Sequence, residues 1–318
     1  MTSRSPAFGP ARASVRRIVR GLRLEGVYDR SLAGARRVKA IPRERAWQRV
    51  VGRFLTEGIG VVGTAEWARP DDDAIPVVVC LWNRPDRAAE VARMLRAQAT
   101  TRPIRLLFWN NNPEDADTYR AVARDGAGDS LASIDLYDSP VNIGGLARFV
   151  AARLAVNGGY RGPIVMLDDD QDVSVDFIDE LLADYGPRSI VAWWAFSQHG
   201  SYWRRAEIEP GTAADHAGTG GTVYDSELVT DDRFFARLPR RFAFLEDQWM
   251  SFVAHQKSWR VVKASTHIEL VSEELNQYHG LKPLKDEFFH EQRRQGRASL
   301  WGPPRVRASW RRGRIRDI

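Results

Sequence analysis

The chain has 318 residues, 43% of them apolar and 10% aromatic, enough for one large domain or two small ones. Its single cysteine, Cys80, excludes an internal disulfide framework. No run approaches the ~18 uninterrupted apolar residues of a membrane-spanning helix. Arginines also stud the N-terminal region, which argues against a secretory signal peptide. A cytoplasmic chain is expected.

The net charge of +6 is unevenly spread: residues 1–69 carry +10 and residues 301–318 carry +5, leaving −9 on residues 70–300. Basic ends on an acidic body favour anionic partners, such as the inner face of a membrane, nucleic acid or polyanionic glycans. Residues 11–24 place Val15, Ile18, Val19 and Leu22 on one face among arginines. That spacing predicts a short basic helix suited to a peripheral membrane site; a solvated arm satisfies the same pattern. A second amphipathic stretch runs from Trp47 to Leu55 and ends at Gly58, and an apolar run over Ile59 to Val62 follows. The polar, proline-bearing segment at 69–74 marks a boundary. The expected organisation is therefore a basic, partly helical extension over 1–70, an acidic main domain over 71–300 and a basic tail over 301–318.

From residue 75 the pattern alternates between strand and helix. Strands are predicted over 75–82, 104–109, 133–138, 163–168 and 189–196. Helices are predicted over 86–98, 114–124, 146–156 and 175–185. Continuous apolar strands separated by helices specify an α/β fold with a doubly wound, mostly parallel sheet. Ligands of such sheets bind beyond the carboxyl ends of the strands, and every strand end here is polar. Asn83 and Arg84 follow the first and Asn111 the second; Gly144 and Gly145 follow the third and open the helix that carries Arg148. Asp168, Asp169 and Asp170 follow the fourth. Glycines at a helix start let backbone N–H groups approach a phosphate, and clustered carboxylates hold a hard divalent cation. Three aspartates in a row also make an ordinary turn or helix cap.

The order of these parts carries a resemblance. VVVCLWNRPDRAAEVARMLRAQ resembles the opening of family-2-like GT-A glycosyltransferases, and PVNIGGLARFVAARLA is similar to their helix opening on Asn, Gly and Arg. IVMLDDDQDV is similar to their strand ending in Asp-x-Asp. GTGGTVYDSELV resembles their glycine-rich acceptor segment, and FLEDQWMSFVAHQKSWRV their Glu-Asp helix. The resemblance covers about 75–300, with a donor half over 75–172 and an acceptor half over 173–300.

It implies a metal-assisted, inverting transfer of sugar from a nucleotide-diphosphate donor, a UDP-sugar, to a hydroxyl on a glycan, lipid-linked or other acceptor. Asp170 and Asp168 would hold Mn²⁺ or Mg²⁺, with Asp168 also at the ribose. Asn83, Arg84 and Asn111 would line the nucleobase pocket, with Gly144, Gly145 and Arg148 beside the nucleotide. Asp247 would be the base, with Glu246 its neighbour on the same helix. A downstream histidine, His279 in a loop or else His267, would complete the metal site. Gly220, Gly221, Trp203 and Trp249 would face the acceptor. The chain departs from the family where Asn110-Asn111-Asn112 replaces an acidic pair. Two other readings exist: a nucleotidyltransferase, disfavoured because strand one ends in Trp-Asn-Arg-Pro, and a nucleic-acid or envelope-binding protein acting through its basic ends.

Overall fold

A computed structural model describes residues 25–63, 74–126, 128–271 and 278–297, without the side chains of 25–40, 62–63, 278–280 and 297. The basic helix expected over 11–24 and the tail at 301–318 lie outside these residues. The chain divides into two compact units between Gly52 and Arg53; among the described residues the first is entirely helical. No helix among the described residues is long and apolar enough to cross a membrane.

Helix α1 (Glu25–Glu57) leads into strand β1 (Val61–Gly63). The alternating series follows as β2 (Ile75–Leu81), α2 (Arg87–Arg96), β3 (Ile104–Asn110), α3 (Ala116–Asp125), β4 (Leu131–Asp138), α4 (Leu146–Asn157) and β5 (Pro163–Asp168). Next come β6 (Gln171–Val173), α5 (Phe177–Ala183), β7 (Ser189–Ala192), β8 (Ala195–Gln198), β9 (Arg205–Glu207), β10 (His216–Ala217) and β11 (Thr222–Asp225). Last come α6 (Arg233–Ala236), α7 (Glu246–Gln256), β12 (Arg260–Lys263), β13 (Ile268–Leu270) and α8 (Tyr278–Arg297).

One eight-stranded sheet runs in the order β1-β4-β3-β2-β5-β11-β7-β12. β2 pairs in parallel with β3 and β5, β3 with β4, and β7 with β12. β11 lies antiparallel between β5 and β7. The mixed α/β architecture and mostly parallel sheet are those the sequence predicts. β2 and β3 are buried along nearly their whole length, which is why β2 is a continuous apolar run and β3 is apolar apart from Arg105 and its terminal Asn110. In α2 the buried residues Ala88, Val91, Ala92 and Leu95 fall at i, i+3, i+4 and i+7, one stripe turned to the core. Helix α4 is buried almost all round, from Leu146 to Val156, and contacts β2 and β3.

Three expectations are corrected. Residues 61–63, assigned to the extension, form the antiparallel edge strand of the main sheet on β4, so the sheet begins before residue 71. The strand expected over 189–196 breaks after Ala192. Trp193 and Trp194 hydrogen-bond the backbone of Gly221 and Gly218, and β8 restarts at Ala195 in a separate sheet ordered β10-β8-β9. Finally, His279 lies in the first turn of α8 rather than in a loop.

Phe149 fixes the packing of α4: its fully buried ring lies 5.7 Å from that of Tyr224 in β11 and 4.9 Å from that of Phe234 in α6. Replacing it with alanine removes the ring and leaves a cavity, so Phe149→Ala is expected to destabilise the protein by about 3–5 kcal/mol in urea denaturation.

Candidate active site

The carboxyl ends of β2, β3, β4 and β5 share one edge of the sheet because these strands run parallel. β11 runs against β5, with Thr222 opposite Met166, so the residues entering β11 arrive at that same edge. Gly220 reaches Asp168 there: a Cβ on this glycine would stand 2.3 Å from Asp168 Oδ2. β5 ends at Asp168, and Asp169 and Asp170 form the turn into β6.

Two arginines organise the acidic turn. Arg84 Nη1 donates to Asp169 Oδ1 at 2.7 Å, and Nη2 lies 3.4 Å from Asp170 Oδ2. Arg87 Nε donates to the Asp169 carbonyl at 2.9 Å, and its guanidinium also pairs with Asp172. Burial pushes the Asp169 carboxyl up to about 7; Arg84 opposes the shift, and the neighbouring Asp168 and Asp170 charges add to it. Behind the turn, Arg148 Nη1 donates to Asp168 Oδ1 at 2.7 Å, and its Nε stands 3.5 Å from Glu246 Oε1. Burial works against the Arg148 charge, but the surrounding negative groups, Asp168 and Glu246 among them, outweigh it.

The two acids that open α7 take different partners, as successive helix positions ~100° apart require. Glu246 turns to Arg148 and occupies the space beside Gly145, where a Cβ would meet its Oε1 at 1.8 Å. Burial pushes the Glu246 carboxyl up to about 7, against the pull of Arg148 and with the Asp247 and Asp168 charges adding to the rise. Asp247 keeps 20% side-chain exposure and lies with Oδ2 3.4 Å from His216 Nε2. Its Oδ1 accepts the Gln248 N–H at 2.7 Å. Burial alone would raise this carboxyl, but His216, Lys285 and that N–H together hold it below the usual carboxylate range. His216 is itself fixed by stacking on Phe196 at 4.6 Å. Ser251 Oγ exchanges hydrogen bonds with both backbone groups of Ala217, which ties α7 to β10.

Some sequence-predicted residues take other roles. Arg84, expected at the nucleobase, faces Asp169 and Asp170. Asn111 spends its amide on the chain after β4, accepting from Ile143 N at 3.1 Å and donating to Gly144 O at 3.2 Å. With 4% exposure, it is a strut for that loop rather than a base contact. Gly144, at φ +64, and Gly145 are small because Phe244 and Glu246 fill the space a Cβ would need. Trp249, expected at the acceptor, is fully buried, donates from Nε1 to the Phe234 carbonyl at 2.7 Å and packs on Phe252. It belongs to the core. Asn83 is half-buried after β2, Gly221 packs against Ile268 and Trp193, and Trp203 is exposed. His267 is exposed, and the His279 side chain is outside the described atoms.

Sequence reasoning missed Arg87, His216 and Lys285. Arg87 was legible as a second arginine three residues after Arg84, and His216 as the polar residue leading into the glycine run. Lys285 had no local signal, because it reaches the site from a distant helix.

For a metal ion, Asp168 and Asp170 offer hard carboxylate oxygens suited to Mg²⁺ or Mn²⁺. Among the described residues no third Asp, Glu, His or Cys completes a cage. This donor set fits an ion that takes its other oxygens from water and substrate phosphates.

No protein-family model matches the chain, and no curated protein matches it in sequence. It is similar to solved structures of glycosyltransferases. S. aureus TarS 1-349 in complex with UDP is 13% identical with a TM-score of 0.41, over 60% of this chain and 57% of that one. S. aureus TarS is 12% identical with a TM-score of 0.47, over 72% and 40%. Mannosyltransferase PcManGT from Pyrobaculum calidifontis, in complex with GDP-Man and Mn²⁺, is 13% identical with a TM-score of 0.49, over 86% and 77%. The chain thus spans little more than half of the first of these. At such identities the functional reading rests on the site itself.

The Glu246 carboxyl gives a test of this geometry. Its ordinary value of 4.5 rises to about 7 in the fold, so between those pH values the native state holds a proton that the unfolded chain releases. Stability from this group is therefore present below pH ~4.5 and falls as pH rises towards ~7. Glu246→Gln cannot ionise. Its thermal midpoint is expected to decline less than the parent's between pH 5 and 8, and parallel declines would show that the carboxylate carries no burial penalty.

Proposed function

We propose that the protein is a GT-A-type glycosyltransferase that moves a sugar from a nucleoside diphosphate, a UDP-sugar, to a hydroxyl acceptor with inversion. The observation that carries this reading is the short segment from His216 to Gly220. It touches Asp247 at one end and Asp168 at the other, setting a shielded carboxylate opposite an acidic strand end. Donor and base machinery need that separation: one part handles a diphosphate, the other a hydroxyl proton.

Asp168 and Asp170 would hold a divalent cation, which when bound neutralises charge developing on the departing diphosphate. Arg148 orients Asp168, and Arg84 and Arg87 hold the acidic turn in shape before any ligand arrives. Asn83 would face the donor's nucleobase. Asp247 takes the proton from the acceptor hydroxyl as that oxygen bonds to the anomeric carbon. The bond from that carbon to the diphosphate oxygen breaks, and the nucleoside diphosphate leaves with the electron pair. His216, Lys285 and the Gln248 N–H keep Asp247 ionised, and so able to accept, throughout the neutral range. Glu246 is less suited to this task despite its higher proton affinity, because Arg148 and the wall at Gly145 enclose it.

A binding protein working through basic ends has no use for a half-buried Asp247 held against a buried His216. Asp247→Asn is nearly isosteric and is expected to lower transfer about 10²–10⁴-fold, the usual contribution of a positioned base, with UDP affinity by calorimetry unchanged. Transfer within a few-fold of the parent would move the catalytic base elsewhere. Asp170→Asn is expected to remove the Mn²⁺- or Mg²⁺-dependent part of donor turnover, and parent activity unaffected by EDTA would sink the metal assignment.

A further inference from the structure

The His216–Gly221 segment does more than join two acids. Between them it supports an exposed indole. Gly218 N donates to the Trp194 carbonyl at 2.7 Å, and a Cβ on Gly218 would stand 3.1 Å from Trp194 Cβ and Cδ1. Trp194 is 43% exposed, an unusual surplus for a residue leaving a fully buried strand. The order along the segment is therefore His216 with Asp247, then Gly218 under Trp194, then Gly220 against Asp168.

One side of this indole carries a cation: the Arg205 guanidinium lies over the Trp194 ring, 5.3 Å from its centre, and 4.9 Å from the centre of Phe196. Phe196 in turn stacks on His216, so Arg205, Phe196 and His216 form one column ending at Asp247. Stacked guanidinium is pre-organised and keeps its N–H fork for a ligand.

Resting on the glycosyltransferase reading, we propose that Trp194 is the acceptor platform. It stacks a pyranose ring of a saccharide acceptor, and Arg205 hydrogen-bonds the ring's oxygens. A sugar's face of C–H groups matches an indole face, while its hydroxyls need donors at the edge. A nucleic acid fits less well. Strand binding uses serial stacking rings in a basic groove, and residues 70–300 carry −9.

The test uses the full-length protein with UDP-glucose and measures UDP release against cellobiose, maltose, N,N′-diacetylchitobiose and a dT₁₂ oligonucleotide. At least one saccharide is expected to stimulate UDP release by the parent. Trp194→Ala should raise the KM for that saccharide about 10-fold, roughly the worth of one aromatic stacking contact, with a smaller change in kcat. Trp194→Phe should recover part of the loss, and Arg205→Lys should not match Arg205. UDP binding by calorimetry reports whether each variant is folded. A parent that binds UDP and releases it from UDP-glucose without stimulation by any saccharide overturns the platform and leaves the donor reading standing. An unchanged KM in Trp194→Ala does the same, as does stimulation or competition by dT₁₂ alone. A parent that neither binds UDP nor cleaves UDP-glucose strikes the underlying function instead.

Discussion

Arg148 carries a positive charge into a helix that is buried nearly all round, and it is held there between Asp168 and Glu246. A guanidinium cannot shed its proton to escape burial, so the fold must supply carboxylates from two other elements. One comes from the end of β5 and the other from the start of α7. The position next to the helix start must then be glycine, because the Glu246 carboxylate lies where any side chain on residue 145 would be. Removing one partner would leave charge uncompensated in the interior, a larger loss than the pair's own net worth. The ion network is better understood as fixing geometry than as adding stability.

That geometry decides which acid of the Glu246-Asp247 pair faces substrate. Once Glu246 is committed to Arg148, the next residue on the helix turns towards β10 and meets His216. The two carboxyls then shift in opposite directions, Glu246 up and Asp247 down, because burial prevails at the first, whereas at the second His216, Lys285 and a backbone N–H together outweigh it. A second arginine pair does similar work at the acidic turn. Arg84 grips Asp169 at 2.7 Å but stands 3.4 Å from Asp170, outside the range of a close charge-assisted hydrogen bond. The turn is thus held through Asp169 and the Asp169 carbonyl.

The strands of the donor half were legible because each is a short, mainly apolar run with a polar end, and burial on both sheet faces admits only a few polar residues such as Arg105, Ser133 and Asp135. The acidic turn and the Glu-Asp helix start were legible for the same reason, being charges placed directly after apolar runs. What the residues do to one another was not. Arg84 and Asp169 are 85 positions apart, and no local pattern says that an arginine after one strand neutralises an aspartate after another. Trp249 looked like a surface aromatic beside a catalytic acid. It stands two positions after Asp247, ~200° round the helix, which takes it into the core beside Phe234 and against Phe252. The break at Trp193-Trp194 was hidden because propensity continues through it; only the pairing partner changes.

The glycines show the same distinction most sharply. In sequence, the run Gly218-Thr219-Gly220-Gly221 shows only its richness in glycine, and it resembles an acceptor segment. In the fold each glycine is instead a contact distance. Side chains there would strike Trp194 at 3.1 Å, Asp168 at 2.3 Å and Ile268 at 2.1 Å in turn. The backbone is pressed against the indole, the acid and the β13 side chain with no slack, and β11 starts immediately after it. Two of these three neighbours belong to the proposed acceptor and donor sides. The spacing between those sides is therefore set by a few peptide units wedged between fixed groups, and the absence of side chains is what lets the two halves of the site come that close.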